Sequence, residues 1–287
     1  MNETANALNI AILQGGPSAE AEVSHNSAQQ VAQALATAGH HTTLVEIDTE
    51  LNPQLAAQLV ELGPHVVFPA LHGPPGEDGT VQGFLEMLDL PYVGSDVRGS
   101  ALAMDKAVAK MIFRNHGLPV LPEVIVSQME VDRAARAASI EQALGPAVVI
   151  KPLNQGSAIG VTPLPNGGDL EAALNESLSY GDCLVEPYVM GKEITVGVLQ
   201  TEGALLPHPV IEIATAGDEW YDYHNRYAQG ASEHIIPARL PAATLSELQE
   251  IALRAHTGLG LRDLSRADFI VTDDHEITLL EVNTLPG

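Results

Sequence analysis

Four polar residues near the end of the chain stand two apart in otherwise apolar runs: Arg266 and Asp268 in LSRADFIV, Glu281 and Asn283 in ITLLEVN. Side chains alternate faces along a strand, so each pair shares one face of its own run. The stretch between them, TDDHE, is turn-like, and consecutive strands joined this way usually pair. One surface would then hold two carboxylates and an amide beside a guanidinium. Oxygen donors of that kind suit a hard cation such as Mg2+, completed by substrate phosphates. The same alternation also describes an ordinary solvated sheet face, and spacing does not separate the two readings.

A second candidate is VVIKPLNQGSAIGV, where an apolar strand ends at Lys151 and a loop with Gly156, Ser157 and Gly160 leads back into a strand. Glycines let backbone N–H groups approach an anion, and a nearby lysine adds a point charge. No Gly-Lys-Ser/Thr opens a helix and no G-x-G-x-x-G occurs, so this is neither a P-loop nor a dinucleotide fingerprint. A phosphate cradle and a plain flexible hairpin stand about even. In ILQGGPSAEAEVS, Glu20 sits just before a helix, where it would cap the helix or receive an ammonium group. LHGPPGEDGT carries His72, Glu77 and Asp78 in a Gly/Pro loop after a strand, a common place for sites in α/β proteins and also an ordinary turn. The eleven histidines show no zinc-like spacing, Cys183 reads as a packed thiol, and WYDYHNRY is the densest aromatic segment.

These groups need elements to position them. The 287 residues are 45% apolar with a mean hydropathy of +0.08, enough for two or three well-cored domains. Thirty-seven Asp and Glu against thirteen Lys and Arg give a formal net charge of −24. That surface repels nucleic acid and anionic membrane, and neither is expected as a partner. No apolar run is long enough to span a bilayer, MNETANALNI lacks the features of a signal peptide, and one cysteine precludes an internal disulfide. A cytoplasmic location is expected. Only four lysines exist, Lys106, Lys110, Lys151 and Lys192, so an anionic substrate must find its positive charge among few residues.

In the first third, ALNIAIL, TTLVEI, HVVFPAL and PYVG read as strands alternating with helices, one bearing Val31 and Leu35 and others near 52–62 and 79–89. That pattern predicts a parallel α/β sheet. A helix over 101–116 then leads into EVIV, a helix, AVVIKP, AIGVTPL, a helix and DCLVEPYV, which is more α+β. Beyond residue 193 strands dominate (EITVGVL, LLPHPVIEI, HIIPA), with one long helix at 243–257 before the closing pair. Gly, Ser and Pro cluster near 96–104 and 188–193, which places domains at 1–103, 104–190 and 191–287.

Each signal is ambiguous alone, but their order is not. GGPSAEAEVS, ALHGPPGEDGTVQGFLEMLDLPYVGS, SALAMDKAVAK, VIKPLNQGSAIGV, LVEPYVMGKEITV, YDYHNRY and RADF…LLEVNTLPG together resemble the D-alanine–D-alanine ligase family of the ATP-grasp superfamily, from about residue 8 to the last residue. The resemblance implies a three-domain ATP-grasp fold, α/β and α+β, with an N-terminal parallel α/β domain carrying the first D-alanine site. ATP would lie between the central and C-terminal domains. It implies ATP-dependent formation of D-alanyl-D-alanine through an acyl phosphate, for peptidoglycan, with Mg2+ (Mn2+ as a substitute) and a homodimer. Position by position, Asp268, Glu281 and Asn283 match the metal ligands, and Lys106 and Lys151 the lysines on the ATP phosphates. Glu186 and Glu193 match the contacts to adenine and ribose. Glu20 matches the carboxylate that receives the first D-alanine's ammonium group, with Ser157 and Tyr227 its partners in closing a lid. Arg266 and the backbone N–H of Gly287 match the groups that stabilise the tetrahedral oxyanion, and His72 a substrate-side histidine with a proton-transfer role.

Two departures stand out. Where the family usually reads Tyr-Glu-Ala-Lys-Tyr, this chain has Tyr223, His224, Asn225, Arg226 and Tyr227, so arginine replaces the lysine on the γ-phosphate and a carboxylate is lost at His224. Members also continue past the final Pro-Gly for some tens of residues, so the chain is expected to be a truncated form that binds ATP and catalyses poorly. The other readings are an ATP-grasp ligase with another acceptor, D-lactate or a different amino acid, and a non-catalytic nucleotide-binding relative.

Overall fold

The computed structural model describes residues 7–18, 20–48, 50–156, 158–215 and 232–286. The chain divides into two compact units, Met1–Ala101 with Leu261–Leu264 and Thr284–Gly287, and Leu102–Gly260 with Ser265–Asn283.

In the smaller unit, β1 (Asn9–Gly15) lies between β2 (His41–Ile47) and β3 (Val66–Pro69), and both pairings are parallel. Helices α1 (Ala21–Thr37), α2 (Pro53–Leu62) and α3 (Thr80–Met87) follow the three strands. Ala11 and Leu13 pack into a core with Leu55 and Leu59 of α2 and Val81 and Leu85 of α3. Ile10 and Ile12 face the other way, with Ala28, Val31 and Leu35 of α1. A strand covered on both faces must be apolar at every position, which is why NIAIL reads as a continuous run. The segment PYVG forms only a single bridge between Val67 and Tyr92, not a strand. Pro91 has no N–H to extend a ladder, and the chain turns at Gly94 with φ +103°.

The expected helix over 101–116 is two helices, α4 (Val97–Met104) and α5 (Lys106–Asn115). Asp105 adopts an extended conformation and its carboxylate accepts from the N–H groups of Ala107 and Val108, starting a new helix. Lys106 is therefore the first residue of α5, and Lys110 lies one turn on, along the same face.

The larger unit holds two sheets. Strands β4 (Val124–Val126), β5 (Val148–Pro152), β6 (Thr162–Leu164) and β7 (Cys183–Pro187) form an antiparallel sheet in the order β4-β7-β5-β6. Helices α6 (Arg133–Leu144) and α7 (Leu170–Ser177) cover it, with Ile140, Leu170 and Leu174 against Val148, Ile150 and Val185. AIGVTPL yields a strand only from Thr162, because Ala158 (φ +58°) and Gly160 (φ +69°) occupy the left-handed region and turn the chain.

The second sheet runs β11-β10-β8-β12-β13, with β9 added to β8. Its strands are β8 (Lys192–Thr201), β9 (Ala204–Pro207), β10 (Ile211–Thr215), β11 (Ser232–Ile235), β12 (Leu264–Val271) and β13 (Ile277–Asn283). LLPHPVIEI is split into β9 and β10 because Pro207 and Pro209 cannot donate to a ladder. Helix α8 (Ala242–Leu259) buries Leu248, Ile251, Ala252, Ala255 and Leu259. Among the described residues no helix is long and apolar enough to cross a membrane.

Candidate functional site

The two polar pairs at the end of the chain do meet. β12 and β13 pair antiparallel with Arg266 opposite Asn283 and Asp268 opposite Glu281, which puts all four on one face. The register then slips, Phe269 opposing Leu279, so Leu280 is an extra residue on β13. Such a bulge turns neighbouring side chains to the same side, and both Leu280 and Glu281 line the cleft described below. Asp268 is held firmly. It accepts from Arg266 Nε and Nη2 at 2.9 Å each, from Thr195 Oγ1 of β8 at 2.7 Å and from Asn283 Nδ2 at 3.0 Å.

This face borders an open cleft within the larger unit. Its walls are largely apolar, with Leu121, Val149, Val161, Tyr188, Val189, Ile270 and Leu280. Its charged groups are Lys106, Lys151, Glu186, Glu193 and Glu281. Lys106 donates to the carbonyl of Gln155 at 2.6 Å and lies 3.6 Å from Glu281. A lysine in the first turn of a helix opposes the helix dipole, and Asp105 beside it offsets that.

Glu186, at the centre of the cleft wall on β7, is 2% exposed. Lys151 Nζ lies 2.8 Å from one carboxylate oxygen and Lys110 Nζ donates to the other. Burial pushes this carboxyl toward its neutral form, and the ammonium groups of Lys151 and Lys110 outweigh burial and hold it below the ordinary carboxylate range. Lys110, itself 1% exposed, also pairs with Glu123 at 3.2 Å, and Glu123 takes a two-pronged contact from Arg114 at 2.7 and 2.6 Å. Cys183, at the start of β7, is buried and its thiol is pushed up to about 12 by desolvation, as expected of a packed, unreactive group.

In the smaller unit, Glu20 and His72 come together on loops that follow the adjacent parallel strands β1 and β3. Glu20 stands at the cap position of α1, yet its side chain makes no capping bond. Its carboxylate lies instead against Gly73, where a Cβ would come 2.7 Å from Oε2. Gly73 has φ +65°, a second reason for glycine there. His72 is 5% exposed, with Nε2 3.0 Å from Ser27 Oγ, and its carbonyl accepts from Ser18 Oγ at 2.8 Å. Glu77 supports the same loop: one oxygen accepts from Gly73 N at 2.9 Å and the other from Leu285 N at 3.3 Å.

The structure thus gathers Lys106, Lys151, Glu186, Glu193 and Glu281 on one cleft, with Arg266, Asp268 and Asn283 beside Glu281 on the same strand pair, and sets Glu20 and His72 together in the smaller unit. Ser157, His224, Arg226, Tyr227 and Gly287 lie outside the described residues. Lys192 is elsewhere, 3.3 Å from Glu212. Sequence reasoning assigned no role to Lys110 or Thr195, and marked Glu77 only as a member of the Gly/Pro loop after a strand. For Lys110 the signal existed: a lysine four residues after Lys106 shares its helix face. Nothing in the sequence brings Thr195 to Asp268, since the contact joins strands 73 residues apart.

The donor chemistry fits a hard cation: two carboxylates and an amide on one face, all oxygen donors. Among the described residues no three His, Cys, Asp or Glu side chains gather into a metal cluster, so these two carboxylates would depend on other oxygens, such as phosphates, to complete a coordination shell.

Comparison with known proteins agrees across the chain. Residues 112–287 match the family described as D-ala D-ala ligase C-terminus, and residues 51–95 match D-ala D-ala ligase N-terminus. A protein of Halalkalibacterium halodurans named D-alanine--D-alanine ligase is 42% identical over 98% of this chain and 90% of its own length. Among solved structures, the VanG D-Ala:D-Ser ligase from Enterococcus faecalis superposes with a TM-score of 0.80 at 29% identity, covering 98% of this chain and 91% of that one. D-alanyl-alanine synthetase A from Vibrio cholerae gives 0.84 at 24% identity over 99% of this chain and 90% of its own, a likeness of fold. The fold is ATP-grasp, with a parallel N-terminal sheet and antiparallel sheets after it. By the family models and by identity over nearly its whole length, the chain belongs to the D-alanine–D-alanine ligase family.

Proposed function

We propose that this protein joins two D-alanines into D-alanyl-D-alanine, using ATP and passing through an acyl phosphate, as a step in peptidoglycan precursor synthesis. One observation carries the reading: an apolar cleft walled by Lys106, Lys151, Glu186 and Glu193 opens beside a strand face bearing Asp268, Glu281 and Asn283. Three functional parts, 1–103, 104–190 and 191–287, go with it. The parallel sheet, the four-stranded sheet and the β8–β13 sheet each fall within one of them.

In this reading the apolar walls take the adenine base, Glu186 accepts from its exocyclic amine, and Glu193 contacts the ribose. Lys106 and Lys151 neutralise phosphate oxygens, so that a carboxylate of the first D-alanine can attack the γ-phosphorus and ADP can leave. Arg226 would add charge at the same phosphate. Asp268, Glu281 and Asn283 would hold Mg2+, or Mn2+ in its place, whose charge stabilises the transferring phosphoryl group. Glu20 receives the ammonium group of that D-alanine, with Ser157 and Tyr227 closing over it. The amine of a second D-alanine then attacks the acyl carbon. A C–N bond forms, the C–O bond to phosphate breaks, and the amine gives up a proton, for which His72 is the acceptor-side group. Arg266 and the Gly287 N–H stabilise the oxyanion between those events. The single cysteine and the need for ATP support a cytoplasmic location, and the family resemblance supports a homodimer.

The test is phosphate release from Mg-ATP with and without D-alanine, with the dipeptide identified by mass. Release that needs D-alanine and yields the dipeptide supports the reading. Release driven by D-serine or D-lactate and not by D-alanine would move this chain to another acceptor, a reading that the likeness to a D-Ala:D-Ser ligase makes worth including.

A further inference from the structure

We propose that Lys110 is a positioning residue for nucleotide recognition: from behind the cleft wall, and through Glu186, it fixes a carboxylate where only a base that donates a hydrogen bond is accepted. The inference rests on the nucleotide reading of the cleft. Lys110 does not line that cleft, yet it is buried at 1% exposure and its ammonium group bonds Glu186 on one side and Glu123, at 3.2 Å, on the other. A buried ion pair is seldom more stable than apolar side chains of the same volume, so stability is a poor explanation for a lysine at this position.

The geometry supplies a better one. Glu186 offers two oxygens, one held by Lys110 and the other 2.8 Å from Lys151. Held from both sides, the carboxylate cannot swing fully onto Lys151, which stays available to a ligand. It also stays ionised, hence an acceptor only, and favours adenine's exocyclic amine over guanine's carbonyl. Without Lys110 the buried carboxylate has Lys151 as its near cation. Lys106, Glu193 and Glu281 line the same cleft, and Glu123, with Arg114 beyond it, stands behind Lys110. Removing Lys110 takes away one of the two ammonium groups that hold this buried carboxyl ionised, which shifts Glu186 toward protonation.

Binding of Mg-ADP and Mg-GDP to the full chain by titration calorimetry tests this, with Lys110→Met, Glu186→Gln and the double variant. Lys110→Met should weaken ADP at least about tenfold, the scale of one charge-assisted hydrogen bond, and narrow the preference over GDP. It should also make ADP affinity fall more steeply on acidification than it does in the unsubstituted protein, a change that simple loosening of the fold would not produce. The double variant should bind within about twofold of Glu186→Gln, because Lys110 acts only through that carboxylate. Lys110→Met binding ADP like the unsubstituted protein, or the double variant losing a further factor beyond Glu186→Gln, overturns the proposal. If Lys110→Met does not fold, the double variant, which removes both charges, still allows the comparison with Glu186→Gln. Failure of the unsubstituted protein to bind ADP refutes the nucleotide reading itself, whereas intact binding with Lys110→Met unaffected refutes only the role of Lys110.

Discussion

Replacing Asp268 with asparagine separates structure from chemistry at the strand face. From described residues the carboxylate accepts four hydrogen bonds, two on each oxygen: Thr195 Oγ1 and Arg266 Nε on Oδ1, Arg266 Nη2 and Asn283 Nδ2 on Oδ2. An amide turns one oxygen into a donor. With the new NH2 at the Oδ1 position it opposes Arg266 Nε, while the Thr195 hydroxyl can turn to accept. At the Oδ2 position it opposes Arg266 Nη2 and Asn283 Nδ2. Either way at least one Arg266 N–H meets a donor, and the bonds that remain lose the carboxylate's charge. Charge-assisted bonds contribute about 1.5–3 kcal/mol each when buried, but Arg266 and Asp268 keep 26% and 16% of their side-chain surface exposed. A net destabilisation of about 2–3 kcal/mol follows, readable as a lower urea midpoint. If Asp268 also holds the cation, D-alanine-dependent phosphate release should fall at least about 100-fold with Mg2+ half-saturation moving upward, since even outer partners of metal ligands are worth about 10–100-fold. Both readouts are needed. A variant with the lower midpoint that still turns over within about threefold of the unsubstituted rate, at an unchanged Mg2+ requirement, would leave Asp268 a structural bracket for Arg266 and sink its assignment as a ligand.

Three further outcomes are expected. Glu212 is held by Arg239 and Lys192, its carboxyl lowered from 4.5 to about 2 mainly by the Arg239 guanidinium. A depressed folded-state value means stability present above about pH 4.5 and lost as pH falls toward 2. Unfolding midpoints of the unsubstituted protein and Glu212→Gln should therefore converge over that range, and a constant gap would contradict the assignment. Glu77→Gln leaves only one oxygen to serve Gly73 N and Leu285 N, so it should cost about 1–2 kcal/mol and raise the KM for D-alanine while leaving ADP affinity unchanged; an unaltered KM would detach Glu77 from the substrate loop. Because ATP must approach a chain of net charge −24, its affinity should tighten as salt rises from low to moderate levels, and steady weakening over that range would count against a field effect.

Local pattern carried most of the fold. NIAIL announced a strand buried on both faces, and RADF and EVN announced their shared face through period-two spacing, which the antiparallel register of β12 and β13 realises. Interruptions made by single residues were harder to read. Asp105 divides a helix because its side chain outbids the next turn for two N–H groups, and Ala158 in a left-handed conformation delays a strand. At the site, the order of motifs pointed to Glu186, Lys151 and Lys106 as residues, but not to the contacts among them. The contacts that tie Lys110 to Glu186 and Thr195 to Asp268 span 76 and 73 residues. Tertiary contacts of that range leave no periodic trace in sequence. Glu20 shows the limit most plainly: its position is that of a helix cap, and only the fold reveals that its carboxylate turns to Gly73.

The scarcity of cations gives their placement its force. In a basic protein a lysine near a cleft says little, because lysines lie everywhere on the surface. Here Lys106 and Lys151 line one cleft and Lys110 stands behind its wall on Glu186, three of the four lysines of a chain where acidic groups outnumber basic ones by 37 to 13. Each is unfavourable where it stands when taken alone. Lys106 opposes a helix dipole, Lys110 gives up nearly all its hydration, and Lys151 is largely enclosed at 13% side-chain exposure. Folding by itself would favour apolar or neutral side chains at such positions. An anionic ligand reverses the balance, because the focused positive charge it needs cannot come from the surrounding surface. The acidic exterior and the lysine-lined cleft are therefore linked: the more negative the chain, the more its few buried cations must be concentrated wherever an anion is to be held.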